Sequence, residues 1–177
     1  MSVFGTVCPD WKLLSGSLDL AALENGGTAI SWSNAHYGNP MAMLQKARSV
    51  GMHDGWETAR NPTRPSVYLR DDHGQLIIPG NEWAIIRLGS PGLVSSIIVD
   101  TAHYKGNYPE SFLLLGTNTT NLEDDCEWIP VIPRQKLTAN SEHRYQCNFV
   151  PLTHVKLVMY PDGGISRLRV IGEQIVL

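Results

Sequence analysis

The chain has 177 residues, 42% of them hydrophobic and 18% charged, with a formal net charge of -3 when histidine is neutral. That length fits one domain with a substantial core and excludes wholesale disorder. The slight acidic excess supplies no basic face for nucleic acid or an anionic membrane.

The three cysteines, Cys8, Cys126 and Cys147, show no C-x-x-C spacing, so a secreted disulfide scaffold is not expected. The opening residues lack the basic and apolar regions of a signal peptide. No apolar run approaches the roughly 18 residues that a membrane span needs. A cytoplasmic protein is the expectation.

In chain order, the first 38 residues are punctuated by turn signals at Ser15-Gly16-Ser17, Glu24-Asn25-Gly26-Gly27 and Tyr37-Gly38-Asn39-Pro40. Trp11, Leu13, Leu14, Leu18, Leu20 and Leu23 are expected to anchor a wrapping arm on the core. Asn39-Pro40 predicts the start of a short helix of about two to three turns. Met41, Met43, Leu44 and Ala47 would be its apolar positions and Gly51 its end. Residues 52–65 form a polar segment around Trp56, which is expected to be buried or half-buried. Glu57, Thr58 and Arg60 there suit a pocket mouth, or Glu57 and Arg60 a surface ion pair.

From residue 67 the pattern turns to strands. Val67-Tyr68-Leu69 and Gln75-Leu76-Ile77-Ile78 flank a turn at Asp71-Asp72-His73-Gly74. Trp83–Leu88 is a strong strand that Gly89-Ser90-Pro91-Gly92 is expected to stop. Leu93–Val99 is the next strand, followed by Ser111–Leu115, Trp128–Ile132, His143–Phe149, Thr153–Tyr160 and Ser166–Ile171. Along Thr153–Tyr160, Val155, Leu157 and Met159 alternate with His154, Lys156, Val158 and Tyr160. Arg167 and Arg169 share a face expected to be solvated, opposite Leu168 and Val170. About eight short strands with turns between them and no helix–strand alternation predict an all-β, jelly-roll-like β-sandwich with one short helix.

The richest chemistry follows the Leu93–Val99 run. Asp100-Thr101-Ala102-His103-Tyr104-Lys105-Gly106-Asn107 brings an acid, an imidazole, a phenol and an ammonium group to the end of a strand. Function often sits on loops held by such a scaffold; the alternative is that His103 and Tyr104 cap the core. His36, His143 and His154 are expected to be satisfied hydrogen-bonders, and His73 exposed.

Asp54-Gly55-Trp56-Glu57-Thr58, Trp83–Gly89, Asp100–Glu110, Thr153-His154-Val155 and Tyr160–Val170 occur in this order, with Ser33–Pro40 and Ile132-Pro133-Arg134 as further matches. Together they resemble the allantoicase family over about residues 30 to 172. The wording is most similar to the second of the two modules that such proteins usually carry. The resemblance implies a galactose-binding-domain-like jelly roll, with residues 30–177 as the module and 1–29 as an N-terminal arm. It also implies hydrolysis of allantoate to ureidoglycolate and urea in purine degradation, and a second module or self-association as partner. A non-catalytic module for small-ligand binding or assembly is the alternative.

Such a reaction needs a cation for the substrate carboxylate, an acid for the departing ureido nitrogen, a base for water, and partners for the remaining ureido group. Lys105, Arg167 or Arg169 could hold the carboxylate. His103 is the expected acid/base, with Glu57 or Asp100 to orient it or activate water. Asn107, Thr58 and Tyr104 could bind ureido groups. Asp162-Gly163-Gly164 is first a turn. No H-x-x-H, H-x-E or cysteine pair has ligand spacing, so no metal residue is assigned; a divalent ion stays possible. No glycine-rich phosphate loop is present.

Overall fold

A computed structural model describes residues 16–122 and 126–175. Trp11, Leu13, Leu14 and Cys8 lie outside them. The elements are β1 (Ser17–Asp19), β2 (Thr28–Trp32), β3 (Trp56–Glu57), β4 (Leu69–Arg70), β5 (Leu76–Ile77), β6 (Glu82–Asp100), β7 (Ser111–Thr117), β8 (Ile129–Lys136), β9 (Glu142–Tyr160), β10 (Gly164–Ile165) and β11 (Arg167–Gln174). Three short 3-10 turns are the only helical segments among the described residues.

The principal sheet runs β1-β11-β6-β9-β7-β8, with β2 on the free side of β6. It becomes a sandwich because β6 and β9 are long and bend. The first half of β6 pairs with β2 and the second half of β9; the second half of β6 pairs with β11 and the first half of β9. The two halves of β6 therefore belong to opposite layers. Ala84, Ile86 and Leu88 from one half, and Val94, Ile97 and Val99 from the other, meet in one core with Phe112, Leu114, Leu157 and Leu168.

Gly89-Ser90-Pro91-Gly92 does not stop the strand, as expected from sequence, but forms the bend in it. Register is lost between Arg87 and Gly92 and resumes beyond. A second irregularity corrects the side-chain parity. Ile171 faces Ser96 while Gly172 faces Val94, which leaves Ser95 as an extra residue in β6. The buried positions change from even to odd there, from Val94 to Ile97 and Val99, so both halves keep their apolar residues inward. β9 is irregular beside it, with Phe149 at φ 46°.

The described part of the expected arm, from residue 16 on, packs into the sandwich. β1 pairs with β11, Leu20 and Ala21 are fully buried, and Leu18 and Leu23 pack against the core. The expected helix after Asn39 shrinks to a 3-10 turn over Pro40–Leu44, with Asn39 capping it through the Met41 amide at 2.8 Å. Gln45 is already extended at ψ 140°. The expected hairpin turn is present: the Asp71 carboxylate accepts from the amides of His73 and Gln75, and Gly74 sits at φ 70°.

Candidate active site

Four loops at one end of the sandwich are knitted together around β3 and β10. These strands pair through Trp56–Ile165 and Glu57–Gly164. Trp56 is fully buried and donates its indole N–H to the Asn34 carbonyl at 2.8 Å. Asn34 accepts from the Ala59 amide at 3.1 Å, and Tyr37 N–H donates to the Glu57 carbonyl at 3.1 Å. The Thr58 amide donates to the Gly163 carbonyl at 3.0 Å, and the Gly163 amide returns a bond to Thr58 Oγ1 at 3.1 Å. The Gly164 amide donates to the Asn107 carbonyl at 2.8 Å. Gly163 has φ 140°, and a Cβ there would lie 2.6 Å from the Asn107 carbonyl oxygen. That turn requires glycine.

These loops enclose a cleft of about 230 Å³. Glu57, Asn107, Asp162, His36, Arg60 and Arg64 supply its charged and amide groups, and Thr58, Tyr37 and Tyr108 complete the lining. The size suits a small polar molecule rather than an extended one. Asn107 donates its side-chain amide to Glu57 Oε1. Among the described residues Glu57 takes part in no ion pair, so the amide orients the carboxylate without neutralising it. Asp162 accepts from the Asn61 amide at 2.8 Å and stands 3.6 Å from Arg64 Nη1.

The nine residues singled out from the sequence do not converge on one place. Glu57, Thr58 and Asn107 reach this cleft, as does Arg60, suggested for a pocket mouth. Thr58 is buried and bonded to Gly163, which makes it a support for the loop. His103 and Asp100 line a separate groove with Arg48, Ser49 and Asn140. His103 sits at φ 70° with Nε2 2.9 Å from the Ser49 carbonyl, and the Asp100 carboxylate accepts from the Ala102 amide at 2.8 Å. The expected pairing of Glu57 with His103 is therefore not formed. Lys105 is exposed and does not line the cleft.

Tyr104 lies in the interior, donating its hydroxyl to the Met52 carbonyl at 2.7 Å. Burial first, then the charges of Glu57 and Asp54, push its phenol well above the usual tyrosine range, so it stays protonated. It forms part of the cleft's foundation rather than a ligand for ureido groups. Arg167 is not solvated either. It is 2% exposed and donates to the carbonyls of Ala42, Ala47, Asp54 and Ser166 and to the Asp54 carboxylate at 2.8 Å. Arg169 binds the Lys46 carbonyl and Asp19, and shares a large mixed-charge groove with Lys46, Arg48 and Glu142.

Sequence reasoning passed over His36 and Arg64 as cleft residues, and weighed Asp162 first as a turn residue and second as a ligand contact. His36 was expected in a core, yet it is exposed, edge-on to Tyr37 at 4.3 Å between ring centroids. The available signal was that His36, Glu57, Asn107 and Asp162 each lie in one of four blocks carrying the same family resemblance. Among the described residues no three His, Cys, Asp or Glu side chains gather as a metal site.

The architecture and the loop-built cleft define a jelly-roll β-sandwich of the galactose-binding-domain kind. Its likeness to the family 32 carbohydrate-binding module of C. perfringens NanJ, solved in complex with galactose, shows that fold: TM-score 0.59 at 13% identity over 88% of this chain and 98% of the other. A model of the allantoicase repeat matches residues 18–175, and the chain belongs to the allantoicase family. It is 41% identical to a probable allantoicase of Pseudomonas savastanoi pv. phaseolicola over 98% of this chain and 51% of the relative. A probable allantoicase of Pseudomonas aeruginosa is 38% identical over the same shares. The crystal structure of allantoicase from Saccharomyces cerevisiae aligns with TM-score 0.72 and 34% identity over 88% of this chain and 43% of that one. The chain thus spans about half the length of the curated relatives it matches.

Proposed function

We propose that this chain is an allantoicase module that hydrolyses allantoate to ureidoglycolate and urea at the Glu57–Asn107–Asp162 cleft. The observation that carries this reading is convergence. Segments 33–40, 54–58, 100–110 and 160–170, which bear the family resemblance, all contribute to this one cleft. It holds the kinds of group the reaction needs, and family membership supplies the substrate class.

Allantoate carries a carboxylate and two ureido groups on one carbon. Glu57, oriented by Asn107, takes a proton from water as its oxygen bonds to that carbon. The carbon–nitrogen bond to one ureido group breaks, and His36 gives a proton to the departing nitrogen, releasing urea. The proton taken by Glu57 balances the one His36 gives. Arg60 and Arg64 set a positive field for the substrate's charge. Asp162 and Thr58 hold the walls.

A second module of the same family, or a second copy of this chain, is the proposed partner. The relatives' remaining length supports that reading. A cytoplasmic location fits Cys126 and Cys147, both unpaired thiols. No described helix is long and apolar enough to cross a membrane.

The test is urea release from allantoate by the purified chain, with and without added divalent metal. Release above the uncatalysed background is expected. Saturable allantoate binding without release would favour the non-catalytic ligand-binding reading.

A further inference from the structure

We propose that Arg64 is the carboxylate-recognition residue of the cleft, so that the site selects small ureido acids over their neutral analogues. The proposal rests on the cleft being the ligand site of the preceding reading, and it names a group absent from the residues singled out by sequence.

Four arginines are committed to holding the fold. Arg167, Arg169, Arg134 and Arg70 each donate well-formed hydrogen bonds to carbonyls or side chains. Arg64 stands at the edge of the cleft with its side chain 25% exposed. Its Nε is buried and has no hydrogen-bond partner among the described residues. Nη1 lies 3.6 Å from Asp162 Oδ1, a charge contact rather than a hydrogen bond. The guanidinium carbon lies 5.7 Å from the Tyr68 ring centroid, so the ring steadies one face.

A buried donor without an acceptor is costly to maintain and rare in folded proteins. Arg64 lines the cleft with this donor enclosed, so an anion that draws the guanidinium forward from its long contact with Asp162 would give Nε its acceptor. The contact to Asp162 also decides which edge is left without a partner. Nη1 is turned to Asp162, which leaves Nε and Nη2, the side-on edge that matches the two oxygens of a carboxylate. Asp162 is anchored through its other oxygen by the Asn61 amide at 2.8 Å, so it holds Arg64 in place without occupying that edge. Asp162 is thus a positioning residue. Glu57 and Asn107 lie in the same cleft and meet the ureido part.

The experiment uses ureidoacetate, a stable acid with one ureido arm, and its neutral amide as control. Both are titrated into the 15N-labelled chain while the Arg64 Nε–Hε signal and the Thr58 and Gly163 amides are followed. Ureidoacetate is expected to shift all three, with the neutral amide about tenfold weaker or more. Arg64→Lys, which keeps the charge but not the fork, is expected to abolish most of the preference for the acid. The proposal is overturned if Thr58 and Gly163 shift while the Arg64 signal does not, or if the neutral amide binds the wild-type chain as well as the acid. Both readouts come from wild type and do not depend on the variant folding. Loss of the Arg64 effect alongside normal urea release from allantoate would remove this proposal and leave the activity standing.

Discussion

Arg64 and Arg167 show how little an arginine's sequence neighbours say about its work. The strand alternation correctly put Arg167 and Arg169 on one face of β11, opposite Leu168 and Val170. It could not show that the chain around residues 42–54 folds over that face and surrounds Arg167 with carbonyls. That cover comes from residues more than a hundred positions away, beyond the reach of any local pattern. Arg167→Ala is expected to destabilise the fold by about 2–4 kcal/mol, because it leaves a half-buried carboxylate and several carbonyls without their donor. Urea unfolding measures it. His154 and Asp54 both contribute acid sensitivity. Burial first, then the nearby Arg87 charge, lowers the His154 pKa below 6.5. The unfolded chain therefore binds the proton more readily, and stability falls as pH drops through 6.5 toward the folded value. Burial alone would raise the Asp54 carboxyl, but the Arg167 hydrogen bond and the Val50 amide outweigh it and hold it below 3.8. Its stabilisation is present above pH 3.8 and is lost as pH falls through the depressed value. The urea midpoint should decline in two stages on acidification, and His154→Gln should flatten the first.

At the scale of the element, the strands were legible because half-buried β-structure has a period of two. What the pattern could not show was continuity. Gly89-Ser90-Pro91-Gly92 is strong turn chemistry, yet in β6 it bends a strand whose two halves serve opposite layers. Across Ser95 the strand keeps a single inward face. Because Ser95 is the extra residue, deleting it should leave Ile97 and Val99 inward and the cooperative unfolding transition intact, whereas inserting one more residue beside it should turn them outward and abolish that transition. The Asn39-Pro40 helix start was also legible, down to the cap on Met41. Its length was not, because the carbonyls of Ala42 and Ala47 accept from Arg167, a distant group. Beneath the cleft, a Cβ on Gly164 would lie 2.1 Å from the Tyr104 ring. Gly164→Ala should cost about 1–3 kcal/mol by overpacking and should disturb the Glu57 strand pairing.

At the scale of the molecule, the cleft was partly visible in advance. Glu57, Thr58 and Asn107 were found because they sit in dense polar stretches. His36 and Arg64 were missed, and Asp162 was read first as a turn, because they lie in irregular loops that meet only when the sandwich closes. His103 drew attention by its neighbours in sequence, which the fold sends to a different groove. The β4–β5 region exposes Val67, Tyr68, Leu69 and Ile77, with relative accessibilities of 46–71%. Exposed apolar side chains of this kind are consistent with the proposed partner module. Light scattering on the purified chain is expected to show self-association, and Val67→Ser with Leu69→Ser to weaken it.

The most direct test of the account compares urea release from allantoate by wild type, Glu57→Gln and His103→Gln. The cleft assignment predicts that Glu57→Gln loses activity by about a hundredfold or more while His103→Gln stays within a few-fold of wild type. Loss of turnover in His103→Gln with Glu57→Gln still active, in folded proteins, would contradict it and return the site to the groove beside Asp100.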